Sequence, residues 1–172
     1  MGRLKTRATA APLLPLITFL LVGTPACTGP PAWDRLAVER VVDGDTLLMA
    51  GGDRVRLLGI DAPELRGEGG DPECYAEEAA RMLEELIDRS GGRVRLEGGS
   101  PPRDVWGRTL AWVWDEGGRL LNEEMLREGC ARLYEGAGEG GFAPRLAAAE
   151  ARAREGSRGF WHPLACEGIT PR

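Results

Sequence analysis

The stretch that decides the fold is residues 56–64, Arg-Leu-Leu-Gly-Ile-Asp-Ala-Pro-Glu, a short apolar run with an acidic exit. Arg56 and Asp61 are five residues apart, so in a regular strand their side chains would face opposite sides. Gly59 interrupts the alternation and predicts a β-bulge, whose one extra residue restores a common face. The stretch therefore predicts a strand edge where a guanidinium and a carboxylate converge.

Two more short strands precede this stretch. Leu36–Val42 is rich in β-branched and apolar residues, Thr46–Met49 resumes the apolar pattern, and Asp43-Gly44-Asp45 separates the two. Apolar runs this short, bounded by Gly and Asp, predict a three-strand meander that ends at Ile60. Taken alone, Asp43-Gly44-Asp45 is typical of a plain hairpin turn.

The rest of the chain adds two strands and three helices. The predicted strands are Arg93–Glu97 and Thr109–Trp114, joined by a polar loop. The predicted helices are one capped by Asp71 with Pro72 in its first turn and ended by Gly91-Gly92, one capped by Asn122 and running to Glu128, and one from Pro144 to about Glu155. Five short strands and three helices predict an α+β fold, mainly a small closed β-barrel with helices packed on it.

The first 26 residues have the composition of an export signal. Three basic residues precede an apolar stretch, 8–22, and small residues end at Ala26. The stretch is shorter than a membrane-spanning helix needs, although an uncleaved anchor is the alternative. Cys27 follows the expected cut and would be either lipidated or free. We expect a signal peptide at 1–26, a linker at 27–35, one domain at 36–163 and a tail at 164–172, in a protein that is secreted or held at the cell envelope.

Charge and cysteine content restrict the chemistry. The chain carries a net charge of −5, and loss of residues 1–26 leaves 19 basic against 27 acidic side chains, a charge of −8. An acidic balance excludes a broad, non-specific grip on a polyanion, so a bound anion needs local cations or a metal. The single His excludes a multi-His zinc site. Outside the cell, Cys74 and Cys166 are the favoured disulfide pair, with Cys130 a buried thiol.

Carboxylates and guanidiniums recur at the predicted strand ends. If the chain brings Asp43, Asp45 and Asp61 near Arg56, the carboxylates repel one another unless a hard cation or protons compensate them. Oxygen ligands without His or Cys favour calcium or magnesium over zinc. For any one of these carboxylates, a solvated acidic rim is the plainer interpretation.

Three segments together resemble the staphylococcal nuclease (thermonuclease) family: Val42–Thr46, Arg56–Glu64 and Asp104–Arg108. The resemblance continues through four later segments and covers about residues 36–163. Those segments are Leu121–Glu123, Gly129–Ala131, Ala149–Ala151 and Gly159–Trp161. Each segment is weak evidence alone, whereas the ordered set is specific. The resemblance implies an OB-fold barrel and a Ca²⁺-dependent phosphodiesterase that acts on DNA and RNA and leaves 3′-phosphate products. We expect the substrate to be single-stranded DNA or RNA and the protein to be a monomer.

The resemblance also implies residue roles. Asp45, Asp61 and the backbone carbonyl of Ala62 would hold Ca²⁺, with Asp43 behind them; the family usually has Thr where this chain has Ala62. Arg56 and Arg108 would clamp the phosphate, because two guanidiniums and a divalent ion offset the charge that develops on it. Glu64 would either deprotonate the attacking water or only orient it, and the sequence leaves both open.

This chain departs from the family in two ways. The loop after Glu64 lacks lysine, and the tyrosines that flank the family's base pocket have no clear counterpart, Tyr134 being the nearest. Trp112 and Trp114 are expected in the strand core rather than on a stacking surface. Two alternatives to an enzyme stay open: a non-catalytic OB-fold module that binds nucleic acid or a protein partner, and a calcium-stabilised envelope protein.

Overall fold

A computed structural model of the chain describes residues 1–2, 35–67, 69–134 and 141–167, without the side chains of residues 99–101. Nearly all of the expected signal peptide, Cys27 and the end of the tail from residue 168 lie outside these residues. Among the residues that are described, no helix is long and apolar enough to cross a membrane.

Five strands close into a barrel, as the sequence predicts. They are β1 Leu36–Asp43, β2 Thr46–Met49, β3 Arg54–Leu57, β5 Arg93–Arg103 and β6 Thr109–Trp114. Their order around the barrel is β1-β2-β3-β6-β5, with β3 and β6 parallel and the other pairs antiparallel. Two shorter strands, β4 Ile60–Asp61 and β7 Arg132–Leu133, pair beside it. The α+β barrel with an OB-like arrangement is therefore confirmed, and the β4–β7 pair is an addition.

The described residues form three α-helices beside the barrel, α1 Ala76–Arg89, α2 Leu121–Arg127 and α3 Ala143–Glu155, and a 3-10 helix, Gly159–Trp161. The buried side chains of α1 recur every three or four residues and include Ala79, Leu83 and Leu86. Gly91 and Gly92 both adopt positive φ (66° and 72°) after the helix, as its predicted end requires.

Two predicted helix starts are wrong. Helix α1 begins at Ala76, not near Asp71, because Tyr75 takes a left-handed conformation (φ 72°) that separates the helix from the preceding chain. Helix α2 begins at Leu121, and Asn122 is a buried residue inside it rather than its cap. The Asn122 side chain accepts a hydrogen bond from the Val113 N–H (2.9 Å) and donates one to the Leu58 carbonyl (2.8 Å).

The two tryptophans of β6, Trp112 and Trp114, lie outside the barrel interior. Ala111 and Val113 are fully buried, and the alternation of the strand turns Trp112 and Trp114 to the other face. There both indoles are half-buried and contact the ring of Phe142, at centroid distances of 4.9 and 5.6 Å. The tryptophans therefore join β6 to the start of α3.

Three cysteines lie in the described part of the chain. Cys74 and Cys166 form a disulfide, with 5.8 Å between their Cα atoms, that ties the chain before α1 to the segment after α3. Cys130 is a buried free thiol, and burial, with help from Glu128, raises its pKa to about 12.

Candidate active site

A tight turn at Leu58–Gly59 brings Arg56 and Asp61 together. Gly59 has φ 75°, a conformation that suits glycine, and a Cβ there would lie 2.8 Å from Leu146 Cδ1. Across this turn Arg56 Nη2 lies 3.0 Å from Asp61 Oδ1, and Arg56 Nη1 donates to the Ile60 carbonyl at 2.9 Å. The predicted convergence is present, but a turn between β3 and β4 produces it instead of a bulge.

Asp45 comes to the same guanidinium from the β1–β2 hairpin. Its side chain is 1% exposed, and Oδ2 lies 2.8 Å from Arg56 Nη1 and accepts the Ala62 N–H at 2.7 Å. The Asp45 N–H in turn donates to Asp43 Oδ1 at 3.1 Å. The Asp-Gly-Asp segment is thus a hairpin turn whose second carboxylate also fixes the exit of β4.

The structure adds Arg132, which the sequence analysis did not single out. In the β4–β7 pair Arg132 stands opposite Asp61, and its Nη2 and Nε lie 2.6 and 3.1 Å from Asp61 Oδ2. Asp61 is therefore held by a guanidinium on each oxygen. No local pattern marks this residue, because Arg132 lies in an apolar run and meets Asp61 only through a strand pair formed 71 residues apart.

Arg108 is positioned by the turn that precedes β6. Asp104 Oδ2 accepts a hydrogen bond from Arg108 Nε at 2.6 Å, and Oδ1 accepts the Arg108 N–H at 2.9 Å. Desolvation acts to raise the pKa of Asp104, but the hydrogen bonds from Arg108 outweigh it and the pKa is lowered. Trp106, in the same turn, is 77% exposed, with its ring centroid 5.2 Å from the Arg108 guanidinium carbon.

These elements enclose one cavity of about 370 Å³, called here the Arg108 cavity. Its charged lining residues are Arg56, Asp61, Glu64, Asp104 and Arg108, and Trp106 and Tyr134 add aromatic surface. Of the residues predicted for the site, Arg56, Asp61, Glu64 and Arg108 therefore share one hollow. The other three predicted residues do not line the cavity. Asp45 contacts the Arg56 guanidinium, and the buried Ala62 donates its N–H to Asp45. Asp43 accepts the Asp45 N–H.

Two carboxyl groups at the cavity, Glu64 and Asp45, have raised pKa values. Burial raises the pKa of Glu64, and the charges of Asp43 and Asp61 add to that rise against the opposing effect of Arg56 and Arg108. Burial likewise raises the pKa of Asp45 well above its ordinary value, although Arg56 and the Ala62 N–H oppose the rise. A positive charge placed among these groups would lower both pKa values.

The donor chemistry of the site fits a hard divalent cation. Carboxylates and a backbone carbonyl supply oxygen alone, which suits calcium or magnesium. Within the described residues, no three or more His, Cys, Asp or Glu side chains stand together as a ready coordination cluster. Instead, the Arg56 guanidinium bridges Asp45 and Asp61 at 2.8 and 3.0 Å.

Comparisons with known proteins find a matching family and several relatives. The family described as "Staphylococcal nuclease homologue" matches residues 54–163. A thermonuclease from Staphylococcus intermedius is 38% identical over 98 residues, 55% of this chain and 56% of that protein. A thermonuclease from Staphylococcus hyicus is 30% identical over 127 residues, covering 72% and 73% of the two chains.

A longer match covers most of the chain. An uncharacterized endonuclease from Escherichia coli is 30% identical over 151 residues, 86% of this chain and 88% of that protein. The match to the Staphylococcus intermedius thermonuclease covers little more than half of that protein. The match to the Escherichia coli protein covers nearly nine-tenths of it. The match to the family begins at the first residue of β3 and ends two residues after the 3-10 helix Gly159–Trp161. It includes the positions of Arg56, Asp61, Glu64 and Arg108. This chain belongs to the staphylococcal nuclease family.

Proposed function

We propose that the protein is a Ca²⁺-dependent nuclease that hydrolyses phosphodiester bonds of DNA and RNA and leaves 3′-phosphate products. The observation that carries the proposal is the Arg108 cavity, in which Arg56, Glu64 and Arg108 meet beside Asp45 and Asp61. The names of the relatives, thermonuclease and endonuclease, support the same class of reaction.

The guanidiniums are suited to the charge that develops during the reaction. When the water oxygen bonds to phosphorus and the bond to the 5′ oxygen breaks, negative charge grows on the phosphoryl oxygens. Arg56 and Arg108 stay positive at all working pH values and donate hydrogen bonds in a planar fork. Because Asp104 fixes the Nε of Arg108, the terminal nitrogens of that side chain are directed by the turn rather than by solvent.

Glu64 is the group placed to act on water. It lines the same cavity as both arginines, so a water bound beside the phosphate lies within reach of its carboxylate. In the proposed reaction Glu64 orients the water and takes its proton, and the departing 5′ oxygen takes a proton from solvent water and leaves as a hydroxyl. Asp45, Asp61 and the Ala62 carbonyl would hold Ca²⁺, which would neutralise charge on the phosphate.

The rim of the cavity supports a single-stranded substrate. Trp106 and Tyr134 are 77% and 56% exposed and line the cavity, so unpaired bases would find aromatic faces next to the phosphate site. Tyr134 is the nearest counterpart that the sequence offers for the family's tyrosines, and the Asp104–Arg108 turn adds the exposed indole of Trp106.

We further propose that the protein works as a monomer outside the cytoplasm, either secreted or tethered through a lipidated Cys27. The Cys74–Cys166 disulfide supports an oxidising compartment, where such bonds persist. Mass spectrometry of the mature N-terminus tests the tether, which requires a diacylglyceryl mass on Cys27.

The function is tested by incubating the purified protein with end-labelled single-stranded DNA and RNA oligonucleotides, with Ca²⁺ and with a chelator. We expect fragments that carry a 3′-phosphate in Ca²⁺ and intact substrate in chelator. Oligonucleotide binding without any product would favour the non-catalytic binding module, and equal product in chelator would contradict the metal assignment.

A further inference from the structure

The chain before Glu64 is held in place more firmly than the chain after it. On the N-terminal side the Ala62 N–H is bound by Asp45 and Pro63 has a restricted φ, so the exit of β4 is rigid. On the C-terminal side the chain enters an exposed loop with glycines at positions 67, 69 and 70. That glycine content makes the loop a poor support for a side chain that must keep one position.

Glu73 closes this loop directly onto Glu64. Glu73 Oε2 accepts the Glu64 N–H at 3.1 Å, and the Glu73 N–H donates to the Glu64 carbonyl at 2.9 Å. The two hydrogen bonds run in opposite directions between the same two residues, so they fix both the position and the orientation of the Glu64 peptide. We call this reciprocal pair the Glu64–Glu73 clasp.

Glu73 is itself tied to the body of the domain. The next residue, Cys74, is covalently joined to Cys166 beyond α3, and Tyr75 packs edge-on against Phe160 with 6.1 Å between ring centroids. The segment that enters α1 is thus anchored by a disulfide and an aromatic contact.

We propose that Glu73 is a positioning residue for Glu64, and that the Cys74–Cys166 disulfide holds Glu73 in place for this purpose. The inference rests on the proposed function, since the position of Glu64 matters only if Glu64 acts on the attacking water. A displacement of about 1 Å at such a group can lower turnover about 100-fold. Both hydrogen bonds of the clasp end on the backbone of Glu64, so Glu73 acts through that backbone.

The test compares Glu73→Ala with Glu73→Gln. Gln keeps a side-chain oxygen that accepts the Glu64 N–H, whereas Ala removes the acceptor. We expect Glu73→Ala to lower kcat about 10- to 100-fold with KM nearly unchanged, and Glu73→Gln to restore most of the turnover. Asp71→Ala is the matched control, because Asp71 is an exposed loop carboxylate whose backbone carbonyl, rather than its side chain, bonds to Gly67.

Amide hydrogen exchange gives a readout that does not depend on activity. We expect the Glu64 N–H to exchange at least about tenfold faster in Glu73→Ala and at nearly the unaltered rate in Glu73→Gln. The double variant Cys74→Ser with Cys166→Ser keeps Glu73, so a smaller acceleration is expected there, and no acceleration would overturn the role given to the disulfide.

The outcomes separate the two proposals. If the unaltered protein releases no product from oligonucleotides, the proposed function fails, while the exchange rates still decide whether Glu73 holds Glu64. If Glu73→Ala leaves the exchange of the Glu64 amide unchanged, the clasp is overturned. If exchange accelerates but kcat is unchanged, Glu73 is only structural and the positioning role is overturned.

Discussion

Two cavities of similar size differ in almost everything else. The Arg108 cavity measures about 370 Å³, and a second one of about 410 Å³, called here the Arg93 cavity, is lined by residues of all five barrel strands. The Arg93 cavity has mostly apolar walls, such as Leu36, Met49 and Leu96, with Arg35, Asp53 and Arg93 at its charged positions.

Charged groups are arranged differently in the two places. In the Arg93 cavity Arg35 pairs with Glu116 and Asp53 with Arg103, in contacts of 3.3 Å whose partners are exposed to solvent. Exposed pairs of this kind contribute little to the free energy of unfolding, and they do not bring their charged groups together inside the cavity. In the Arg108 cavity the carboxylates and guanidiniums of three chain segments meet, and Arg56 is only 11% exposed. Volume alone therefore does not mark a site; converging charge does.

The same Arg→Lys substitution should have very different effects in the two cavities. Arg108→Lys keeps the charge but loses the fork and the Nε contact with Asp104, so we expect turnover on single-stranded DNA to fall about 100- to 1,000-fold. Arg93→Lys should change turnover less than twofold, and circular dichroism should show both variants folded. An equal loss in the two variants would remove the distinction between the cavities.

The wall of the Arg108 cavity also depends on a buried amide. Asn122→Ala leaves the Val113 N–H and the Leu58 carbonyl without their partner, so we expect a loss of about 2 to 4 kcal/mol in the free energy of unfolding. Urea denaturation measures it. Glu85→Ala, which removes one half of an exposed pair on α1, should cost less than about 0.5 kcal/mol.

The rim of the Arg108 cavity should affect binding more than chemistry. Trp106→Ala removes an exposed indole, and base stacking on an aromatic ring contributes about 1 to 3 kcal/mol per base, so KM should rise about 5- to 150-fold with kcat little changed. Val105→Ala, in the same turn and 89% exposed, is the control. A similar rise in KM for both variants would show that apolar area, and not stacking, is what binds.

The smallest effect is expected at a buried group outside both cavities. Burial raises the pKa of Cys130 to about 12, so the reactive thiolate is scarce at pH 8 and becomes abundant only as the pH approaches that value. Mass spectrometry of the Cys130 peptide should show no iodoacetamide adduct on the folded protein at pH 8 and a complete adduct after denaturation. Rapid labelling of the folded protein would contradict the buried position.

Local sequence predicts those parts of the site in which neighbours along the chain meet. Arg56 and Asp61 are joined across one glycine turn, and Arg108 is fixed by a carboxylate four residues before it. The chain separation is small in both, so a motif contains the whole contact. The strands and helices are predictable for a similar reason, because the spacing of apolar residues that marks each of them lies within a short stretch of sequence. The barrel follows from the number of these strands and helices.

Contacts between distant parts of the chain explain the features that local patterns miss. Arg132 contacts Asp61 through a strand pair formed by distant segments. Asn122, in α2, forms hydrogen bonds with β6 and with the Leu58 carbonyl. The late start of α1 has the same origin. Glu73 bonds to Glu64 and Cys74 to Cys166, and these contacts override the capping tendency of Asp71.

The most direct test of the account is a Ca²⁺ titration in which binding heat and oligonucleotide hydrolysis are recorded on the same samples. The unaltered protein and Asp53→Asn, whose substitution lies in the Arg93 cavity, should saturate in both signals at the same Ca²⁺ concentration. Asp61→Asn should need at least about tenfold more Ca²⁺ for both, because a carboxylate ligand has been lost. Hydrolysis that proceeds without Ca²⁺, or an Asp61→Asn titration that overlays the unaltered one, would contradict a metal-assisted site at this edge of the barrel.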